Sequence, residues 1–392
     1  MIIYNRTWLK NLDLQNQLKR AHRLGDITAE ELKQMEEKYP VGFYTPNIFV
    51  RAGLFILTQI ITSFAGGLLS LIFSSMGDLI TSPGYFLFLG LISYVALELI
   101  VQQKHHFRSG VDDALMWTAA GLILAAFIGY LSIAQRNSLS APFECYVFFF
   151  AMVLAGYFTL RFADMLMAVV SFLSLICFLF FSRELFGFYA AAIRPFLIIL
   201  VSAGVYFLCV YWKKYKDYEN CLTAMQVFCL LIGYAAGNYF VVKEMGSMIN
   251  QPLQEGEGLP LGWFFWTWTI ALPFVYIALG LKRKEVILLR SGLILIAAAA
   301  FTFRNYYHVM PIEGALSLVG AALLAIAYGV IRYLKTPKKG FTYEELDDDQ
   351  LLDKIKVESL IVGETFSGPS AAPEGSRMGG GSFGGGGSSA DF

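Results

Sequence analysis

The sequence predicts an all-α fold: a polytopic transmembrane helical bundle of about ten spans, with a small cytosolic N-terminal helical hairpin and a disordered C-terminal tail. Three observations predict it. Apolar residues make up 56% of the 392 residues, only 15% are charged, and the mean hydropathy is +0.56; a soluble domain carries about a quarter charged residues. The charges cluster in the termini and in short breaks between apolar runs. Those runs each approach the roughly 20 residues that a helix needs to cross about 30 Å of hydrocarbon.

Residues 1–48 read as the helical hairpin. Leu14, Leu18 and Ala21 mark one face of a first helix, and Gly25 suits the position just past its end. Thr28 is a good N-cap for a second helix, with Glu31 three residues on as a capping box and Ile27 and Leu32 placed for a hydrophobic staple. Leu32, Met35 and Tyr39 continue the apolar face until Pro40. So few large apolar groups cannot hold a robust core alone. The hairpin is therefore expected to pack on the membrane face of its own chain, or on a protein partner. The polar start carries no charged-then-apolar signal, so no cleaved signal peptide is expected.

Gly25-Asp-Ile-Thr-Ala-Glu-Glu-Leu32, then Glu37-Lys-Tyr-Pro40, then spans opening with Arg51-Ala-Gly-Leu54 resembles a bacterial family of predicted membrane proteins known only as a domain of unknown function. The likeness covers roughly residues 10–75. It implies a bacterial cytoplasmic (inner) membrane and brings no functional residues with it.

The spans of the 49–335 region are read near 52–75, 84–101, 113–133, 144–160, 165–181, 195–212, 221–242, 261–281, 286–303 and 313–334. The fourth and fifth, around Arg161-Phe-Ala-Asp164, are short enough to be one re-entrant hairpin, although two spans fit the total apolar length better. Lys and Arg favour the cytosolic side of a membrane. The even loops and the flank after the last span hold twelve such residues, among them Lys104, Arg108, Arg161, Lys213, Lys214 and Lys282; the odd loops hold five. Ten spans with both termini cytosolic is the consistent solution. Trp212, Trp263, Trp266 and Trp268 suit the headgroup level.

Residues 336–363 are acidic, with Leu346, Leu351, Leu352 and Ile355 spaced for a short amphipathic helix. Residues 364–392 turn to Gly and Ser and are expected to be disordered. The acidic tail is a poor partner for nucleic acid or anionic lipid. The Gly-rich end is similar to the glycine-rich ends of several bacterial membrane-protein families.

Charges inside spans are costly and suggest function. Glu98 in the second span and Arg290 in the ninth both fall in the cytosolic third, which makes them a candidate intramembrane pair; snorkelling is the alternative. On the outer face, Asn238 beside Gly233 and Gly237, with Trp263, Trp266, Trp268, Arg304 and His308, is a candidate polar and aromatic pocket. Close helix packing and a solvated loop are the structural alternatives. The five cysteines, Cys145, Cys177, Cys209, Cys221 and Cys229, have no metal-type spacing. His105 and His106 lack further convergent ligands. No phosphate-loop, zinc-protease or nucleophile-elbow motif is present. No enzyme, cofactor or metal is therefore expected. Two functional classes remain: a carrier of a small molecule or lipid, or a non-catalytic scaffold or sensor that binds partners through its cytosolic ends. The bilayer is the one partner implied outright, and the oligomeric state is open.

Overall fold

The computed structural model describes residues 2–73, 77, 79–135, 143–182, 190–249 and 261–307, with isolated helical positions between 314 and 332. The acidic segment and Gly-rich tail expected over 336–392 lie outside the described residues. Apart from a one-residue bridge between Tyr44 and His106, the described residues form helices and their connections.

The N-terminal hairpin consists of α1 (Arg6–Leu24) and α2 (Ala29–Lys38). Asn5 caps α1, its Oδ1 accepting from the Thr7 and Trp8 amides. Gly25 ends α1 at φ +85°, a left-handed conformation that glycine adopts without a Cβ penalty. Its amide donates to the His22 carbonyl and the Asp26 amide to Ala21, which closes a Schellman motif. The expected capping box forms at α2: the Glu31 amide donates to Thr28 Oγ1, and the Thr28 amide to Glu31 Oε2. Gln15 and Asn11 then donate to the Tyr39 and Pro40 carbonyls and tie the two helices together.

Among the described residues, nine longer α-helices and one short one follow: α3 (Ile48–Phe73), α4 (Pro83–Lys104), α5 (Val111–Gln135), α6 (Phe143–Phe162), α7 (Met165–Phe181), α8 (Ala190–Trp212), α9 (Glu219–Gly237), α10 (Tyr239–Ile249), α11 (Gly262–Arg283) and α12 (Val286–Tyr307). Eight of them are long and apolar enough to cross a membrane; α7, at 17 residues, is shorter, and α10 is a half-length piece. The expected tenth span, 313–334, is described only at isolated helical positions.

Packing follows chain order. α4 with α5, α6 with α7, α8 with α9, and α11 with α12 form antiparallel hairpins, and α7 lies against α9. One apolar cluster joins Leu97 and Val101 of α4, Leu115, Met116 and Ala119 of α5, Phe158 and Phe162 of α6, and Met167 of α7. A second joins Phe172 of α7, Tyr206 of α8, Cys229 and Leu230 of α9, and Ile287 and Leu288 of α12. Thus α7 contributes to both. Helix α3 packs mainly on α5, with Tyr85 of α4 reaching Ser70 and Gly66, and leaves Phe49, Ile60, Phe64, Leu68 and Leu71 exposed, the composition of a lipid-facing surface.

Three sequence expectations change here. The 161–164 segment is not a basic loop: Arg161 belongs to the last turn of α6, and only Ala163 and Asp164 connect it to α7. The seventh span, read as continuous over 221–242, breaks at Asn238 (ψ 128°) into α9 and α10. The ninth does not end at 303: Arg304, Asn305, Tyr306 and Tyr307 extend α12 instead of forming a loop.

Gly110 fixes the start of α5 against α3. Its φ is +94°, and a Cβ there would overlap the Arg51 carbonyl. Gly110→Ala is expected to cost at least ~2 kcal/mol, since strain and a backbone clash add. Thermal unfolding of the purified protein in detergent would read this as a clear drop in midpoint.

Candidate functional site

Several charged side chains of α3 to α6 converge where the N-terminal hairpin meets the ends of α4, α5 and α6. Glu98 lies on α4, but its partner is Arg161 of α6 and not Arg290. Arg161 Nε donates to Glu98 Oε1 and Nη2 to Oε2, both at 2.9 Å, in bidentate geometry. The Tyr94 hydroxyl also donates to Oε1, Gln102 Nε2 donates to Oε2 at 3.1 Å, and Tyr157 joins through Tyr94. Both carboxylate oxygens are thus taken by neighbours on α4 and α6. Arg290 sits on α12, a helix of the second apolar cluster.

A second charged group lies beside the first. Arg51 of α3 reaches Asp113 of α5 through Nε and Nη2, both at 2.7 Å. Asp112 accepts from the Arg108 and Ser109 amides and from the Ser109 hydroxyl, which folds the α4–α5 loop onto the helix start. Asp164 caps α7 by accepting from the Met167 amide at 2.8 Å. Tyr4, Arg108, Asp112, Asp113 and Asp164 surround a cavity of about 10 Å³, close to the space needed for one water. Burial pushes the Asp164 carboxyl above its ordinary value, against the pull of the Met167 amide, Arg108 and Arg51. Burial likewise pushes the Tyr4 phenol well up, and Asp112 and Asp113 add to it.

The N-terminal segment closes this end. The Ile3 amide donates to the Arg161 carbonyl at 3.0 Å, and Tyr4 is 7% exposed within the first apolar cluster. Phe43 and Phe107 stack, with the Tyr4 ring at right angles to both. The Tyr44 amide donates to the His105 carbonyl and the Phe107 amide to Tyr44. The hairpin therefore packs on its own membrane domain, the first of the two expected arrangements. Beside these contacts, Ile3, Tyr4, Asn5, Trp8 and Phe43 face Val101, Gln102 and His105 across a crevice of about 270 Å³.

The residues expected to form an outer pocket are only partly together. Asn238 is 2% exposed, and its Nδ2 donates to Tyr234 and Thr302. Its Oδ1 accepts from the Phe240 and Val241 amides, which makes it the N-cap of α10. The Tyr239 amide donates to Thr269 Oγ1. Gly237 leaves room for Trp268, whose ring any Cβ there would overlap. Trp266 stacks on Tyr239 at 4.8 Å and meets Tyr306 edge-on, so these rings pack on one another. Trp263 is 72% exposed and stands apart. Arg304 is on α12, and His308 lies outside the described residues.

Sequence reasoning did not single out Tyr4, Asp112, Asp113 or Asp164, and placed Arg161 in a loop. The available signal was the concentration of charges at the ends of consecutive spans.

Removing one partner of the Glu98–Arg161 pair leaves the other charge at the edge of an apolar bundle. Glu98→Ala and Arg161→Ala are each expected to destabilise by about 1–3 kcal/mol, and the double variant by less than their sum. A double-mutant thermal unfolding cycle measures the coupling. For Asp164, the folded-state value is raised, so stability is greatest at acid pH and falls as pH rises through and above the ordinary carboxylate range. Asp164→Asn keeps an N-cap side chain and removes the charge. It is expected to flatten that part of the stability–pH curve and to raise the unfolding midpoint at neutral pH.

Comparison with family models, with curated proteins and with solved structures finds no match for this chain; its described residues are helical, and eight helices long and apolar enough to cross a membrane make it a multi-pass membrane protein.

Proposed function

We propose that the chain is a non-catalytic membrane sensor or scaffold whose working face is the hairpin end. The observation that carries this reading is the bond between the Ile3 amide and the Arg161 carbonyl, together with the burial of Tyr4. Through them the hairpin is coupled to the ends of α4, α5 and α6, so a shift of those helices is transmitted to it. The charged groups at that end close on one another, which suits a structural joint better than an open route for a solute. Helix α2 has no buried residue and offers Glu30, Lys33 and Glu37 to a protein partner. The basic residues of the α4–α5, α8–α9 and α11–α12 connections support a cytosolic position for this end. With the resemblance of the hairpin, this favours a bacterial inner membrane with both termini inside.

The second reading, a carrier of a small molecule or lipid, is favoured by the break at Asn238. Discontinuous spans that expose backbone within the membrane are a recurrent feature of carriers.

The readings separate in one set of measurements. Photo-crosslinking residues at positions 30, 33 and 37 of the full-length protein in cells are expected to give discrete protein adducts. Tyr4→Ala, which unseats the hairpin, is expected to remove the adducts while membrane insertion persists. Absence of adducts, together with solute uptake by proteoliposomes that Asn238→Ala abolishes, would replace the sensor with the carrier.

A further inference from the structure

The crevice between the hairpin and α4 has the makings of a ligand site. We infer that it binds an uncharged planar ring carrying carbonyl groups, the chemistry of a quinone head group. Its walls are aromatic and set at right angles. The Trp8 ring is perpendicular to Phe43 (5.3 Å, 89°) and to His105 (4.9 Å, 89°), and Tyr4 is perpendicular to Phe43 (6.0 Å, 88°). Rings arranged as the corners of a box leave flat surfaces against which another ring can stack or meet edge-on. Trp8 is held in place from behind, because its ring lies 2.6 Å from where a Gly42 Cβ would stand.

The polar groups of the crevice are few and partly committed. Asn5 uses Oδ1 to cap α1, which leaves its NH₂ as a donor. Gln102 uses Nε2 on Glu98, which leaves its amide oxygen as an acceptor. The His105 ring adds a donor or acceptor. Among the described residues, no Lys, Arg, Asp or Glu lines the crevice. A phosphate or carboxylate would enter without a counter-charge, which is costly; an ammonium is drawn to ring faces but offers no acceptor to Asn5, whereas carbonyls on a neutral ring accept from Asn5 and His105. About 270 Å³ falls just below the range for drug-sized ligands and suits one or two rings. The crevice ends α4, whose Leu91, Val95 and Leu99 are exposed apolar residues. The same ring chemistry can therefore arrive from water or on a lipid tail. A bound ring would bridge the hairpin and α4; that consequence rests on the sensing role proposed above, and binding itself does not.

The test uses the full chain in lipid nanodiscs, titrated with a tail-less benzoquinone added from water and, separately, with the same ring on a long alkyl tail. Tryptophan quenching is expected to saturate. Trp8→Phe is expected to remove the saturable component. His105→Asn, which keeps a residue tolerant of the left-handed backbone at that position (φ 54°), is expected to weaken binding about tenfold. Tighter binding of the tailed ring would identify a lipid-borne ligand, and equal binding a free one. Quenching that rises without saturation overturns the inference. So does an unchanged constant in His105→Asn, or displacement of the ring by equimolar tetramethylammonium. Amide exchange of residues 2–9 is expected to slow when the ring binds. Saturable binding with unchanged exchange would leave the site standing and remove the sensing role.

Discussion

The bidentate pair of Glu98 and Arg161 organises the hairpin end of the molecule. An isolated charge in an apolar medium is costly, and the cost falls only when the charge is paired and its remaining hydrogen-bonding capacity is filled. Here Arg161 takes both oxygens of Glu98, and Tyr94 and Gln102 fill in around them. The pair therefore sets the last turn of α6 beside α4. The carbonyls of a last helical turn have no partner within the helix, and that of Arg161 accepts the Ile3 amide. Tyr4 follows directly and enters the apolar cluster between α4, α5 and α6. One ion pair thus helps to set where the N-terminal hairpin attaches.

The two ends of the bundle solve the same problem differently. At the hairpin end, charges meet charges: Arg51 with Asp113, Arg161 with Glu98, and Asp164 within the influence of Arg108 and Arg51. At the far end of α9 the side chains that satisfy the backbone are neutral. Asn238 interrupts a helix within an apolar run, which frees backbone amides that hydrocarbon cannot satisfy. Its own side chain takes the Phe240 and Val241 amides, and Thr269 takes that of Tyr239. Thr302 secures Asn238 from α12. These amides are satisfied by protein and need no solvent or ligand. That is why the break supports the carrier reading less than an open, polar-lined gap would.

Much of this was legible in the sequence, and the losses have definite causes. Hydropathy finds α3 to α6, α8, α11 and α12 within a few residues, because lipid-facing and buried faces are both apolar. The Thr28–Glu31 capping box and the Gly25 stop are local motifs and appear as read. The partner of Glu98 was not legible: Arg161 is 63 positions away, and nothing in either apolar run says which helices touch. Arg290 is expected at the same depth, but the side chains around Glu98 are Tyr94, Gln102 and Arg161. The break at Asn238 was hidden because one asparagine barely changes the hydropathy of its window, and the groups that make it tolerable, Thr269 and Thr302, lie on other helices. Arg304 and Tyr306 looked like loop because they are polar, yet α12 extends through them. Tyr4 closes the short apolar run Met1-Ile2-Ile3-Tyr4, which is too brief for a periodicity to show what it packs on.

Helix α7 shows how burial replaces length. Seventeen residues span about 25 Å at 1.5 Å per residue, short of the roughly 30 Å hydrocarbon layer. A lipid-exposed helix of that length would thin the bilayer or tilt its neighbours. One face of α7 is enclosed by protein: Met167 and Phe172 belong to the two apolar clusters, and Ala168, Val169 and Ser174 are buried as well. Its ends are completed by protein: Asp164 caps the first turn, and the Ser182 amide donates to the Phe178 carbonyl at the last. A helix enclosed in this way needs only to match its neighbours. Among the described residues it is the element that contributes to both clusters, so its cap at Asp164 links the charged end to the packing of the second group.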